Sequence, residues 1–115
     1  MSDKKNSNNI KFGEFVRSTR LKLNIGLREF ARQVGVSATY ISKMEVDEFS
    51  PPKEENIKKM AKILKVDEDK LLSMADRISS DLKEIINDKP DLYAAFLRKA
   101  KPKDVEKFLK DLNKK

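Results

Sequence analysis

The 115-residue chain sets 26 Lys/Arg against 19 Asp/Glu, a formal charge of +7, with 38% hydrophobic residues; that suffices for one compact core, or one small core with an appended helical segment, and is too little for two full domains. Cysteine and histidine are both absent, which removes disulfides, thiol nucleophiles, the commonest general base and the usual zinc ligands. The opening MSDKKNSNN has no apolar run of signal-peptide or membrane-span length, so residues 1–9 are expected to form a flexible tail and the protein to act in the cytoplasm, with no membrane partner.

The positive charge is concentrated toward the front. Residues 1–43 hold nine Lys/Arg against three Asp/Glu, residues 44–75 six against eight, and residues 76–115 eleven against eight. A basic excess confined to one small segment suits a polyanion, although a solvated basic face has the same composition. In chain order, Phe12, Phe15, Val16, Thr19 and Leu23 share one amphipathic helical face; Leu27, Phe30, Ala31 and Val34 a second; Ile57, Met60, Ala61 and Leu64 a third, all at the spacing of a 3.6-residue period. Val66, Leu71, Leu72 and Ala75 continue the series. Ile78, Leu82, Ile85 and Ile86 follow, then Leu92, Phe96 and Leu97, then Val105, Phe108, Leu109 and Leu112. No alternating strand pattern competes, so the fold class is all-α, with eight short helices whose apolar stripes are core or interface. Ser79 and Ser80 offer N-caps, and Pro90 and Pro102 sit where a helix can begin without losing an internal amide.

Between the second and third of these faces the punctuation is dense. Gly35 stands where the chain must turn sharply, and a residue without Cβ tolerates the left-handed backbone such a turn requires. Ser37 then caps the next helix, with Val36 before it and Ile41 after it at the spacing of a hydrophobic staple. On that helix Ala38, Ser42, Thr39 and Lys43 fall within an arc of about 140° while Ile41 and Met44 point away. Small side chains allow close approach, hydroxyls donate or accept, and a lysine reaches guanine acceptors or phosphate, which suits a DNA major groove. An ordinary solvated face would also read this way.

The motifs FARQVGVS through the turn, ATYIS leading to Glu45, the proline-bearing loop and MAKILKVDEDKLL, in that order, resemble the five-helix, lambda-repressor-like DNA-binding domain of XRE-type transcriptional regulators over residues 11–75. The resemblance implies a helix-turn-helix domain at 10–75, in which helix 27–34 crosses the phosphate backbone and helix 38–45 is the recognition helix. Ala38, Thr39, Ser42 and Lys43 would then face base edges. Arg28, Ser37, Tyr40 and the first amides of helix 27–34 would meet phosphates, with Tyr40 serving equally well in packing. The family often has glutamine where this chain has Leu27, and a Thr or Ser cap where it has Gly26, so no side-chain phosphate contact is expected at Leu27. By the same resemblance Arg20 and Glu45 form a structural ion pair.

Residues 76–115 would add a helical extension, a dimerization segment in one reading and a cover for the domain's own surface in the other. The clusters Asp47/Glu48 and Asp67/Glu68/Asp69 abut a turn and a helix start, where acidic residues complement the dipole, and no glycine-rich phosphate loop is present; no enzyme activity, metal or cofactor is expected. The resulting expectation is a sequence-specific, dimeric DNA-binding transcriptional regulator, a repressor reading a double-stranded, pseudo-palindromic operator. The rival is a protein-interaction module, an antitoxin or coactivator-like bridge, using the same domain to dock a partner.

Overall fold

The computed structural model describes residues 11–114; the tail expected over residues 1–9 and the first residue of the expected domain, residue 10, lie outside them. The described residues form eight helices and no strand: α1 (Phe12–Lys22), α2 (Leu27–Val34), α3 (Ala38–Glu45), α4 (Glu54–Leu64), α5 (Glu68–Met74), α6 (Ser80–Asp88), α7 (Pro90–Lys99) and α8 (Pro102–Leu112). The all-α expectation is met, five helices in the domain and three in the extension. The chain divides after Ser79 into two compact units.

In the first unit one apolar cluster joins all five helices. Phe12 and Val16 of α1, Phe30 and Val34 of α2, and Ile41 and Met44 of α3 meet Ile57, Met60 and Leu64 of α4 and Leu71 and Leu72 of α5. These are the positions at which the helical period placed apolar residues, and burying them is what holds marginally stable helices of 7 to 11 residues in place. Leu23 departs from the expectation. It was placed on the apolar stripe of α1 but is 37% exposed, because α1 ends at Lys22 and the chain turns at Asn24, φ +59°.

All five helices end alike. The amides of Ile25, Val36, Glu48, Val66 and Arg77 reach back to the carbonyls of Arg20, Ala31, Lys43, Ala61 and Leu72 at 2.9–3.0 Å. The residue before each donor is left-handed: Asn24, Gly35, Asp47, Lys65 and Asp76. This closure satisfies carbonyls that a helix end leaves open. Glycine does it at Gly35; elsewhere the turn is made by residues that carry a Cβ, with Asn and Asp tolerating it better than Lys. N-termini are less uniform. Ser37 accepts from the Tyr40 amide at 3.0 Å and Asp67 from the Lys70 amide at 2.9 Å, whereas Gly26 offers α2 no capping side chain.

The second unit has the helices and lacks a core of its own. α7 and α8 each begin at the proline read as a starter. No residue of α6, α7 or α8 is buried. The rings of Phe96 and Phe108 approach to 6.0 Å, yet both stay exposed, as do Leu82, Ile85, Leu92, Leu97, Leu109 and Leu112.

Candidate nucleic-acid interface

The third helix, α3, is fixed from beneath by two contacts with α1. Gly13 is buried, and a Cβ built on it would lie 2.3 Å from the carbonyl oxygen of Met44 and 3.0 Å from the Cα and carbonyl carbon of Glu45. The backbones of α1 and α3 therefore touch where only glycine leaves room. One helical turn pair further on, Arg20 donates through Nε and Nη2 to the two carboxylate oxygens of Glu45, both at 2.9 Å, and through Nη1 to the Ile25 carbonyl at 2.8 Å. Both side chains are buried. The hydrogen bonds to Glu45 raise the Arg20 pKa above its ordinary value, against the opposing effect of burial. One guanidinium thus ties α1, the turn into α2 and the end of α3 together, with bidentate geometry that satisfies both ions.

This mounting turns the polar arc of α3 outward. Ile41 and Met44 are buried, Thr39, Ser42 and Lys43 are exposed, and Ala38 is half-buried with its methyl against the core. Ser37 and Arg28 lie exposed at the starts of α3 and α2. With no capping side chain at Gly26, the first amides of α2 remain available to an anion. Glu29 would oppose such an anion, but Arg32 donates to both its carboxylate oxygens and Gln33 to one. The bonds from Arg32 first, then Gln33, hold the Glu29 carboxyl below the usual carboxylate range.

Tyr40 faces the loop after α3. Its hydroxyl donates to the Ser50 carbonyl at 2.5 Å and its ring stacks on Phe49 at 5.9 Å; burial pushes its pKa up. Two further contacts were not read from the sequence: Lys43 Nζ lies 3.2 Å from Glu48 Oε1, and Lys11 Nζ 3.7 Å from Asp47 Oδ2. Neither pair has helical spacing. Both exist because the left-handed Asp47 folds the loop back on α3, and the signal for that turn is an aspartate rather than a glycine. Gly13 left a weak trace, as a glycine inside an otherwise regular helical pattern.

Five bonded helices, a buried Arg–Glu clamp and an outward, small-residue third helix define a helix-turn-helix domain. Residues 13–77, more than half of the chain, match the family model described as a helix-turn-helix domain. The chain belongs to that family, in its lambda-repressor-like branch. Among solved structures, the DNA-binding domain of the P22 c2 repressor is 37% identical, with a TM-score of 0.51 over 56% of this chain and 84% of that one. The P22 c2 repressor in complex with a synthetic operator is 35% identical, with a TM-score of 0.51 over 56% of this chain and 97% of that one. The SinR protein/SinI protein complex shares the fold at 21% identity, with a TM-score of 0.51 over 89% of this chain and 94% of that one. No curated protein matches the chain.

Proposed function

We propose that this protein is a sequence-specific DNA-binding transcriptional regulator, a homodimeric repressor that reads a pseudo-palindromic operator with α3. The observation that carries the reading is the outward arc of α3, small and polar, on a helix that the Arg20–Glu45 pair and the Gly13 contact hold at one angle. Thr39, Ser42 and Lys43 address base edges, and Ala38, small and half-buried beside them, lets the helix approach closely. Arg28, the Ser37 hydroxyl proton and the uncapped amides of α2 address phosphates. Tyr40 donates its hydroxyl proton to Ser50 and stacks on Phe49, so it serves this face by packing rather than by holding a phosphate. The P22 c2 repressor, similar over the same region, is seen in complex with an operator. The exposed apolar residues of α6–α8 supply the surface that pairs two copies, so that two half-sites about one turn apart are read together.

Selection of bound sites from random duplexes, followed by footprinting and titration at several salt concentrations, tests this. A short protected pseudo-palindrome is expected, with log affinity falling linearly in log salt. Lys43→Ala should cost about 1–3 kcal/mol on the selected site and relax one base position per half-site; Arg28→Ala should weaken all duplexes alike and lower the salt slope by about one. Diffuse binding without a protected site, or a flat salt response, returns the chain to the partner-docking reading.

A further inference from the structure

On the reading of α3 as the DNA-reading helix, we propose that Glu48 is a positioning residue for Lys43: it turns that lysine from a mobile countercharge into an oriented hydrogen-bond donor, and so raises discrimination between sequences at the expense of general affinity. The ammonium lies 3.2 Å from Glu48 Oε1. Both side chains are about half exposed, and an exposed ion pair is ordinarily loose, since its partners sample many geometries. This one springs from a fixed frame. The Glu48 amide donates to the carbonyl of Lys43 itself at 2.9 Å, and the Phe49 amide donates to the same oxygen at 3.4 Å. Phe49 in turn stacks on Tyr40, whose hydroxyl bonds Ser50. The loop is thus anchored on α3 at residues 48, 49 and 50, and the backbone from which the Glu48 side chain springs is held at a defined place beside the outward arc.

Two consequences follow from the chemistry of an ammonium. It has three donors, so an ion pair with one Glu48 oxygen leaves at least two for acceptors beyond it, and a carboxylate beside the ammonium favours some rotamers of the four-carbon stem before any base is met. The pair is also neutral. A free lysine attracts every phosphate and releases a counterion wherever it binds; a lysine beside a carboxylate does so weakly. Directional bonding to a guanine edge is retained while indiscriminate attraction is reduced. A carboxylate that merely repelled DNA would instead weaken all duplexes by one factor, and one that merely sequestered Lys43 would weaken the preferred site at least as much as the others.

The test is titration of the native protein, Glu48→Gln, Glu48→Asp, Lys43→Ala and the Lys43→Ala/Glu48→Gln double variant against the selected site and a random duplex at fixed salt. The native protein must first prefer its selected site with a salt-dependent affinity; failure there sinks the DNA-reading proposal and this one together. Given that preference, Glu48→Gln should raise affinity for the random duplex roughly three- to five-fold, steepen the salt slope by about one, and lower the ratio of selected to random affinity several-fold. Glu48→Asp keeps the charge and withdraws it by one methylene, and should lower the ratio as well. In the Lys43→Ala background Glu48→Gln should leave the ratio unmoved. An unchanged or increased ratio in Glu48→Gln, a native ratio in Glu48→Asp, or an equal effect with and without Lys43, each overturns the positioning role while leaving DNA recognition intact.

Discussion

Gly13→Ala sets two physical effects against each other with opposite signs. In a helix, alanine is favoured over glycine by up to about 1 kcal/mol, so local propensity alone predicts a more stable protein. The structure predicts the reverse. The new methyl would stand 2.3 Å from the Met44 carbonyl oxygen and 3.0 Å from backbone atoms of Glu45, and relief requires α1 and α3 to separate by about an ångström, since no flexible side-chain end can give way. Overpacking of this kind costs about 1–3 kcal/mol; with backbone on both sides the upper part of that range applies, leaving a net loss of about 1–2 kcal/mol. For a domain of this size the melting temperature should fall by roughly 5–15 °C. The displacement also acts on Glu45, the partner of Arg20, so affinity for every duplex should fall with the base preference unchanged. Thermal unfolding by circular dichroism and fluorescence-anisotropy titration measure the two effects. A variant melting at or above the native temperature would show that α1 and α3 do not meet as tightly as the geometry requires.

The spans of α2 and α3 were legible because their signals are local: a periodic apolar face, Gly35 at a left-handed turn, and Ser37 as a cap whose bond to the Tyr40 amide is present. The link between Arg20 and Glu45 spans 25 positions and no spacing rule reaches that far; it came from the resemblance to a family. Left-handed turns at Asn24, Asp47, Lys65 and Asp76 carry no glycine; Asn and Asp mark such turns only weakly and Lys not at all, and with the Asp47 turn went the placing of Glu48 beside Lys43. Gly13 reads in sequence only as a poor helix former, because the reason for it lies on another helix. Periodicity in α6–α8 correctly gave helices with apolar faces. It could not say what covers them, since a period reports that a face exists and an unpartnered face has the same period as a buried one.

Arg20→Ala leaves Glu45 buried without its counterion and should cost about 3–5 kcal/mol in chemical denaturation, with binding lost through misplacement of α3 and not through a changed base preference; stability within about 1 kcal/mol of native would show the pair to be dispensable. Lys65→Gly should stabilise by about 0.5–1 kcal/mol, because Lys65 holds φ +60° at a helix end where glycine carries no Cβ penalty, and a lower denaturation midpoint would contradict this. Ending the chain at Ser79 separates folding from pairing. Among the described residues the apolar core lies in α1–α5, and α6–α8 contribute no buried residue, so the shortened chain should unfold cooperatively within a few degrees of the native one. Its exposed Leu92, Phe96, Phe108 and Leu112 are gone, and with them the surface proposed to pair two copies. Sedimentation should then show a monomer at concentrations where the full chain is a dimer, and affinity for a two-half-site duplex should fall toward that for one half-site, since the second contact is no longer made at high effective concentration. A shortened chain that still sediments as a dimer places the interface within the helix-turn-helix unit.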